Sequence, residues 1–159
     1  MNKQTKYNIG SYDHKQLEEL VFRNPKLVHE HFIPLRKELI ILRGKLDILG
    51  SVLDQNCIVE IKVDKVGGLK AIARKQLKKY ARAINDTLSW FDIEPLNFSF
   101  CIIRNSKNNL YIDYYENMEE LCKEKYSNGI GYYKGNKNKA KEKHLTEAYE
   151  KYKKVKGIR

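Results

Sequence analysis

Long apolar runs are missing from this sequence. The longest, such as Leu39-Ile40-Ile41-Leu42, are a few residues, far short of the ~20 needed to cross a bilayer, so no membrane span is expected. The opening residues, MNKQTKYNIG, lack the apolar stretch and small-residue cleavage site of a secretory signal, and the expectation is an intracellular, cytoplasmic protein. Cysteine is scarce: Cys57, Cys101 and Cys122 are odd in number, widely spaced and free of any CxxC pair. That argues against a disulfide framework or a zinc site, and all three read as reduced packing residues. There is no internal repeat and no HExxH, and His29 and His31, two apart in an expected turn, read as solvated loop histidines. The glycines of residues 129–135, GIGYYKG, neither follow a strand nor open a Lys-Ser/Thr helix, which argues against a phosphate-cradling P-loop.

What is present is a chain of 159 residues, 42% hydrophobic and 32% charged, enough to bury one core in one modest domain. Acidic residues are outnumbered: 31 Lys plus Arg stand against 20 Asp plus Glu, a net charge of +11. The excess is concentrated, with 12 basic and 4 acidic residues in 123–159 against 19 and 16 in 1–122. Such a charge attracts polyanions by releasing their counterions, nucleic acid first and an acidic membrane surface second. A lysine-rich tail that only maintains solubility remains the alternative at this stage.

Apolar spacing predicts a helix from about Tyr12 to Asn24-Pro25, with Ser11 or Asp13 as N-cap. Three strands in meander order follow, 32–42, 45–53 and 56–63, separated by Arg43-Gly44 and by Asp54-Gln55-Asn56. Leu69, Ile72, Ala73, Leu77, Tyr80, Ala81 and Ile84 form a helical stripe that should cover one sheet face. Strands at 97–103 and 110–115, joined by a polar turn at 104–109, and a short helix at 118–126 complete the core. Trp90-Phe91 at the helix end is assigned to packing, 127–144 to a Gly/Asn/Lys-rich loop or arm and 143–155 to a final basic helix. The order of elements implies an α/β sandwich with a mixed sheet of about five strands.

The chemistry lies in GKLDILGSVLDQNCIVEIKV, residues 44–63. Side chains alternate along a strand, so Glu60 and Lys62 share a face and Ile61 points the other way. A hairpin through the Asp54 turn brings Asp47 to their level. Charges in an otherwise apolar strand are expensive unless paired or metal-bound. Two carboxylates suit a hard cation such as Mg²⁺, which binds phosphate oxygens and activates water, and an adjacent ammonium stabilises the charge that develops. A cross-strand salt bridge is the plain alternative.

This segment resembles the core of the PD-(D/E)xK nuclease superfamily, with Asp47 at the first acidic position and Glu60-Ile61-Lys62 at E-x-K. Gln76 and Tyr80 in KQLKKYARAI, at i and i+4, look like its Q-x-x-x-Y element, which lines the site beside the scissile phosphate. Residues 14–85 are similar to the nuclease domain of the NucS/EndoMS endonucleases. HKQLEEL, NPKLVHE, the strand RKE, GKLDILG, VEIK and QLKKY follow the order of that family's E-x-D-L-E-E-L, N-P-E-L-I-E, R-E, G-x-I-D-L-L-G, E-L-K and Q-L-K-R-Y elements. His14 stands at the first position of the helical motif, so an acidic role there is expected to fall to Glu18 or Glu19, and Glu38 matches the R-E position. The nuclease-like helix begins near the first residue given, so substrate choice is not carried over.

The resemblance implies a restriction-endonuclease-like α/β domain over 1–126, with 127–159 a basic extension that is part of it or packed on it. It also implies a DNA endonuclease dependent on Mg²⁺ or Mn²⁺, cutting branched, mismatched or otherwise structured DNA. Asp47, Glu60 and the Ile61 carbonyl would hold the metal, Lys62 the attacking water, and Gln76 and Tyr80 the phosphate. DNA is the expected partner, with a homodimer left open. Arg43, Arg74, Lys75, Lys78, Lys79 and Arg82 are candidates for contacts to the DNA backbone. Tyr132 and Tyr133 beside Lys134 are candidates for base stacking with phosphate neutralisation. The competing reading is a non-catalytic nucleic-acid-binding protein on the same fold.

Overall fold

A computed structural model describes residues 2–4, 12–42, 44–64, 67–106 and 109–123. Residues 1–121 and 122–159 form two compact units; the description below concerns the first and the end of the helix that leads out of it. The elements are β1 (Asn2–Gln4), α1 (His14–Arg23), a 3₁₀ turn (Pro25–Leu27), β2 (Phe32–Ile41), β3 (Gly44–Val52), β4 (Gln55–Asp64), α2 (Leu69–Ser89), β5 (Phe98–Ser106), β6 (Asn109–Tyr115) and α3 (Met118–Lys123).

Local chemistry sets the ends of α1. The Asp13 side chain accepts from the Gln16 N–H while the Gln16 side chain accepts from the Asp13 N–H, a reciprocal capping box. Asn24-Pro25 ends the helix, because the residue before proline is driven out of the helical region.

The sheet has six strands in the order β1-β6-β5-β4-β3-β2. Its β2–β3–β4 meander is antiparallel, and α2 carries the chain over to β5, which runs parallel to β4. The sheet is mixed, as expected. The additional strand is β1, three residues paired with β6 more than a hundred positions away, a partnership with no local signature. A second correction concerns β5. It continues through Arg104, Asn105 and Ser106, where a polar turn was expected. Arg104 is buried and is neutralised by Asp113 at 3.5 Å and Asp64 at 4.0 Å, with its guanidinium 5.1 Å from the centre of the Tyr111 ring. A charged residue can continue a buried strand when its counter-charges lie on the neighbouring strands.

Each sheet face carries its own core. Leu17 and Val21 of α1 pack on Ile48, Val59, Ile61 and Ile103. Leu77, Tyr80 and Ala81 of α2 pack on Leu46, Ile58, Phe100 and Ile102. The two apolar layers explain why β4 and β5 are apolar on both sides. Cys57 and Cys101 are core residues, whereas Cys122 is exposed and not a packing residue. Trp90 and Phe91 are likewise exposed, at 67% and 69%, contrary to their assignment to packing: α2 ends at Ser89 and, among the described residues, no element covers them. The expectations for 127–159 lie outside the described residues.

Candidate active site

Three departures from regular sheet geometry open the site. First, the β3–β4 register ends at Ile48 with Val59, so Asp47, Glu60 and Ile61 lie where the two strands part. Second, β3 changes face there: Leu46 belongs to the α2-side core and Ile48, two residues on, to the α1-side core. Third, Glu38, lying between the register pairs Lys37–Ile48 and Leu39–Leu46, has a φ of 52°. A non-glycine residue in the left-handed region stores strain of about 1–3 kcal/mol, and such strain gathers at functional sites.

Asp47 reaches into the resulting notch. Its Oδ2 accepts a 2.7 Å hydrogen bond from the Ile61 N–H. In a strand the N–H and C=O of one residue leave on the same side, so the Ile61 carbonyl faces the same gap. The Ile61 side chain is in the α1-side core. Glu60 and Lys62 project to the opposite face, as alternation requires, and Lys62 Nζ lies 3.2 Å from Glu60 Oε2. Glu60 Oε1 is buried with no hydrogen bond. Burial, then the proximity of Asp47, pushes the Glu60 carboxyl up to about 7.

From the α2 side, Tyr80 is 5% exposed and its hydroxyl is pushed up to about 12, first by burial and then by Glu60 and Asp47. The ring lies over Gly44, where a Cβ would come within 3.1 Å of Tyr80 Cε1 at a φ of 154° that side chains rarely adopt. Gln76 is one turn earlier on the same helix face, and its Oε1 is buried with no hydrogen bond.

From the α1 side comes a residue that motif reasoning passed over. His14 Nε2 is 3.1 Å from Asp47 Oδ1, and its Nδ1 is 3.8 Å from Glu18 Oε2. Glu18 is nine-tenths buried and Oε2 has no hydrogen bond. Burial, and then a hydrogen bond with Glu38, raises Glu18 to about 7, while that same bond lowers Glu38. His14 is raised chiefly by its hydrogen bond to Asp47. Glu38 also meets Lys15 at 3.3 Å and Lys45 at 3.5 Å. Glu19 points elsewhere, to Lys37 at 2.9 Å and Arg23 at 3.5 Å. The i, i+4 spacing of His14 and Glu18 was the available signal, because it places both on one helix face.

These side chains fit a divalent cation. Asp47, Glu60 and Glu18 are buried carboxylates inside a basic chain, two of them with an oxygen lacking any hydrogen bond; a closed salt-bridge network would satisfy those atoms.

The basic residues divide. Lys75, Lys78, Lys79 and Arg82 line a shallow cleft of about 340 Å³ on α2. Arg74 does not join them: it is buried, and its Nε and Nη2 donate to the Leu121 carbonyl at 3.3 and 3.2 Å. It tethers α3 to α2 and is withdrawn as a DNA contact. Arg43, Tyr132, Tyr133 and Lys134 lie outside the described residues.

A mixed sheet between two helical layers, with an acid-rich notch at the parting of two strands, is the restriction-endonuclease-like architecture. Residues 13–94 match the family described as the endonuclease NucS C-terminal domain, and the chain belongs to that family. No protein of curated function matches the chain. Among solved structures, the protein in an EndoMS–dsDNA complex is 28% identical over 46% of this chain and 30% of its own, with a TM-score of 0.41. A repair endonuclease from Pyrococcus abyssi is 20% identical over 64% of this chain and 40% of its own, with a TM-score of 0.45. This chain therefore spans less than half the length of either.

Proposed function

We propose that the protein is a divalent-metal-dependent DNA endonuclease that hydrolyses phosphodiester bonds in structured DNA. The observation that carries this reading is the parting of β3 from β4. It leaves the Ile61 carbonyl facing the gap beside Asp47 and Glu60 Oε1 without a hydrogen-bond partner in a buried position. Asp47, Glu60 and the Ile61 carbonyl would hold Mg²⁺ or Mn²⁺. Such an ion, when bound, neutralises phosphate charge and lowers the pKa of bound water.

The other roles follow from the side chains themselves. The Lys62 ammonium, held by Glu60, donates hydrogen bonds to the oxygen of the attacking water and stabilises the negative charge it develops. Tyr80 keeps its proton at neutral pH and so donates to a phosphate oxygen. Gln76 has an amide N–H₂ to do the same, one turn away. Lys75, Lys78, Lys79 and Arg82 line the neighbouring face of α2 and would hold the backbone of the DNA by charge.

The test is cleavage of labelled single-stranded, duplex, flap, mismatched and four-way DNA with Mg²⁺ or Mn²⁺, comparing the wild type with Glu60→Ala and Lys62→Ala. Products that require metal and vanish in both variants are expected, and the best-cut DNA names the substrate. Salt-sensitive binding of every DNA without cleavage of any would instead identify a binding protein on a nuclease fold.

A further inference from the structure

We infer that α1 builds a second cation position onto the same centre, made of His14, Glu18 and Asp47 and suited to a borderline transition ion rather than to Mg²⁺. The inference deepens the nuclease reading, because Asp47 serves both positions. One donor atom from each of the three residues falls within 4.8 Å of the others. The two oxygens of Asp47 face different partners: Oδ2 lies on the Ile61 N–H of β4, and Oδ1 lies 3.1 Å from His14 Nε2 of α1. Neighbouring ligands of an octahedral ion at about 2.1 Å stand about 3.0 Å apart, so Oδ1 and Nε2 are spaced as adjacent ligands.

Glu18 supplies the independent sign of a ligand. It is 3% exposed, its Oε2 makes no hydrogen bond, and His14 Nδ1 lies 3.8 Å from that atom. A buried carboxylate oxygen without a donor is expensive unless something binds it. His14 has a side chain 43% exposed, so an ion can enter from solvent along α1.

Ligand chemistry selects the metal. Two carboxylate oxygens alone would suit Mg²⁺, but an imidazole nitrogen shifts preference toward Mn²⁺, Co²⁺ and Zn²⁺. A carboxylate shared between two ions is the arrangement in which one ion faces the attacking oxygen and the other the leaving oxygen of an in-line displacement.

The experiment uses the full chain stripped of metal, titrated with Mn²⁺ for stoichiometry and with Co²⁺ for its visible absorption. Variants are His14→Ala, Glu18→Gln and Glu60→Gln, each first shown to unfold cooperatively. The expected result is two Mn²⁺ per chain, falling to one in His14→Ala, with Co²⁺ affinity lowered about tenfold or more in His14→Ala and in Glu18→Gln. Glu60→Gln should keep the nitrogen-ligand character of the Co²⁺ spectrum. One ion per chain in the wild type, with Co²⁺ binding unchanged in His14→Ala, overturns the inference and leaves the nuclease reading untouched. Loss of Co²⁺ in His14→Ala without DNA cleavage by the wild type in any metal supports the site while the nuclease reading fails.

Discussion

Replacing Glu60 by Gln separates a metal ligand from a structural ion pair without any DNA in the assay. Burial and Asp47 move the Glu60 carboxyl from its ordinary 4.5 to about 7 in the folded chain. The folded state therefore holds this proton more tightly than the unfolded state, and stability falls as pH rises from about 4.5 through 7. At 1.36 kcal/mol per unit, ionising Glu60 at pH 8 costs about 3 kcal/mol. Glutamine keeps the shape and removes the charge. It also strips Lys62 of the partner it holds at 3.2 Å, which offsets part of the gain. The metal-free variant should be about 1–3 kcal/mol more stable than the wild type at pH 8, raising Tm by roughly 2–4 °C per kcal/mol. Below pH 5 the difference should close, because Glu60 is then protonated in the folded wild type. The assay is thermal unfolding followed by circular dichroism in a chelator from pH 4.5 to pH 8. A variant less stable than the wild type by the same amount at every pH would refute the reasoning and make Glu60 a salt-bridge residue. Glu18 is raised over the same range and His14 from 6.5 upward, so the wild type should lose stability with more than one proton involved, the histidine's share falling above pH 6.5.

Mn²⁺ at 100 times its dissociation constant should stabilise the wild type by about 2.7 kcal/mol, reversibly with chelator, and Asp47→Asn should abolish that gain in the same melting assay. Gly50→Ala should destabilise the fold by about 1–3 kcal/mol in denaturant titration, since a Cβ there would meet the Ile33 carbonyl at 2.5 Å and the Phe32 ring at 2.4 Å. Thiol titration of the native chain at pH 8 should modify Cys122 and spare Cys57, which is buried and pushed up to about 12, until denaturant is added. Arg74→Ala should lower Tm without changing the salt dependence of DNA binding, whereas a Lys75/Lys79 double alanine variant should flatten that dependence at nearly constant Tm.

The element order, the two helices and the shared face of Glu60 and Lys62 were legible in the residues, because they depend on local periodicity and on the two-residue alternation of a strand. The Gln76–Tyr80 face was legible for the same reason. Four features were not. The strand β1 and the continuation of β5 through Arg104 depend on partners far along the chain. The inward turn of Arg74 depends on the Leu121 carbonyl that α3 brings beneath it. And His14 becomes part of the site only because β3 parts from β4 at Asp47, opening the sheet to α1 on one face and α2 on the other. Periodicity decides which face a side chain occupies; where a sheet stops pairing, and so which helices can reach the same carboxylate, is decided by packing between distant segments.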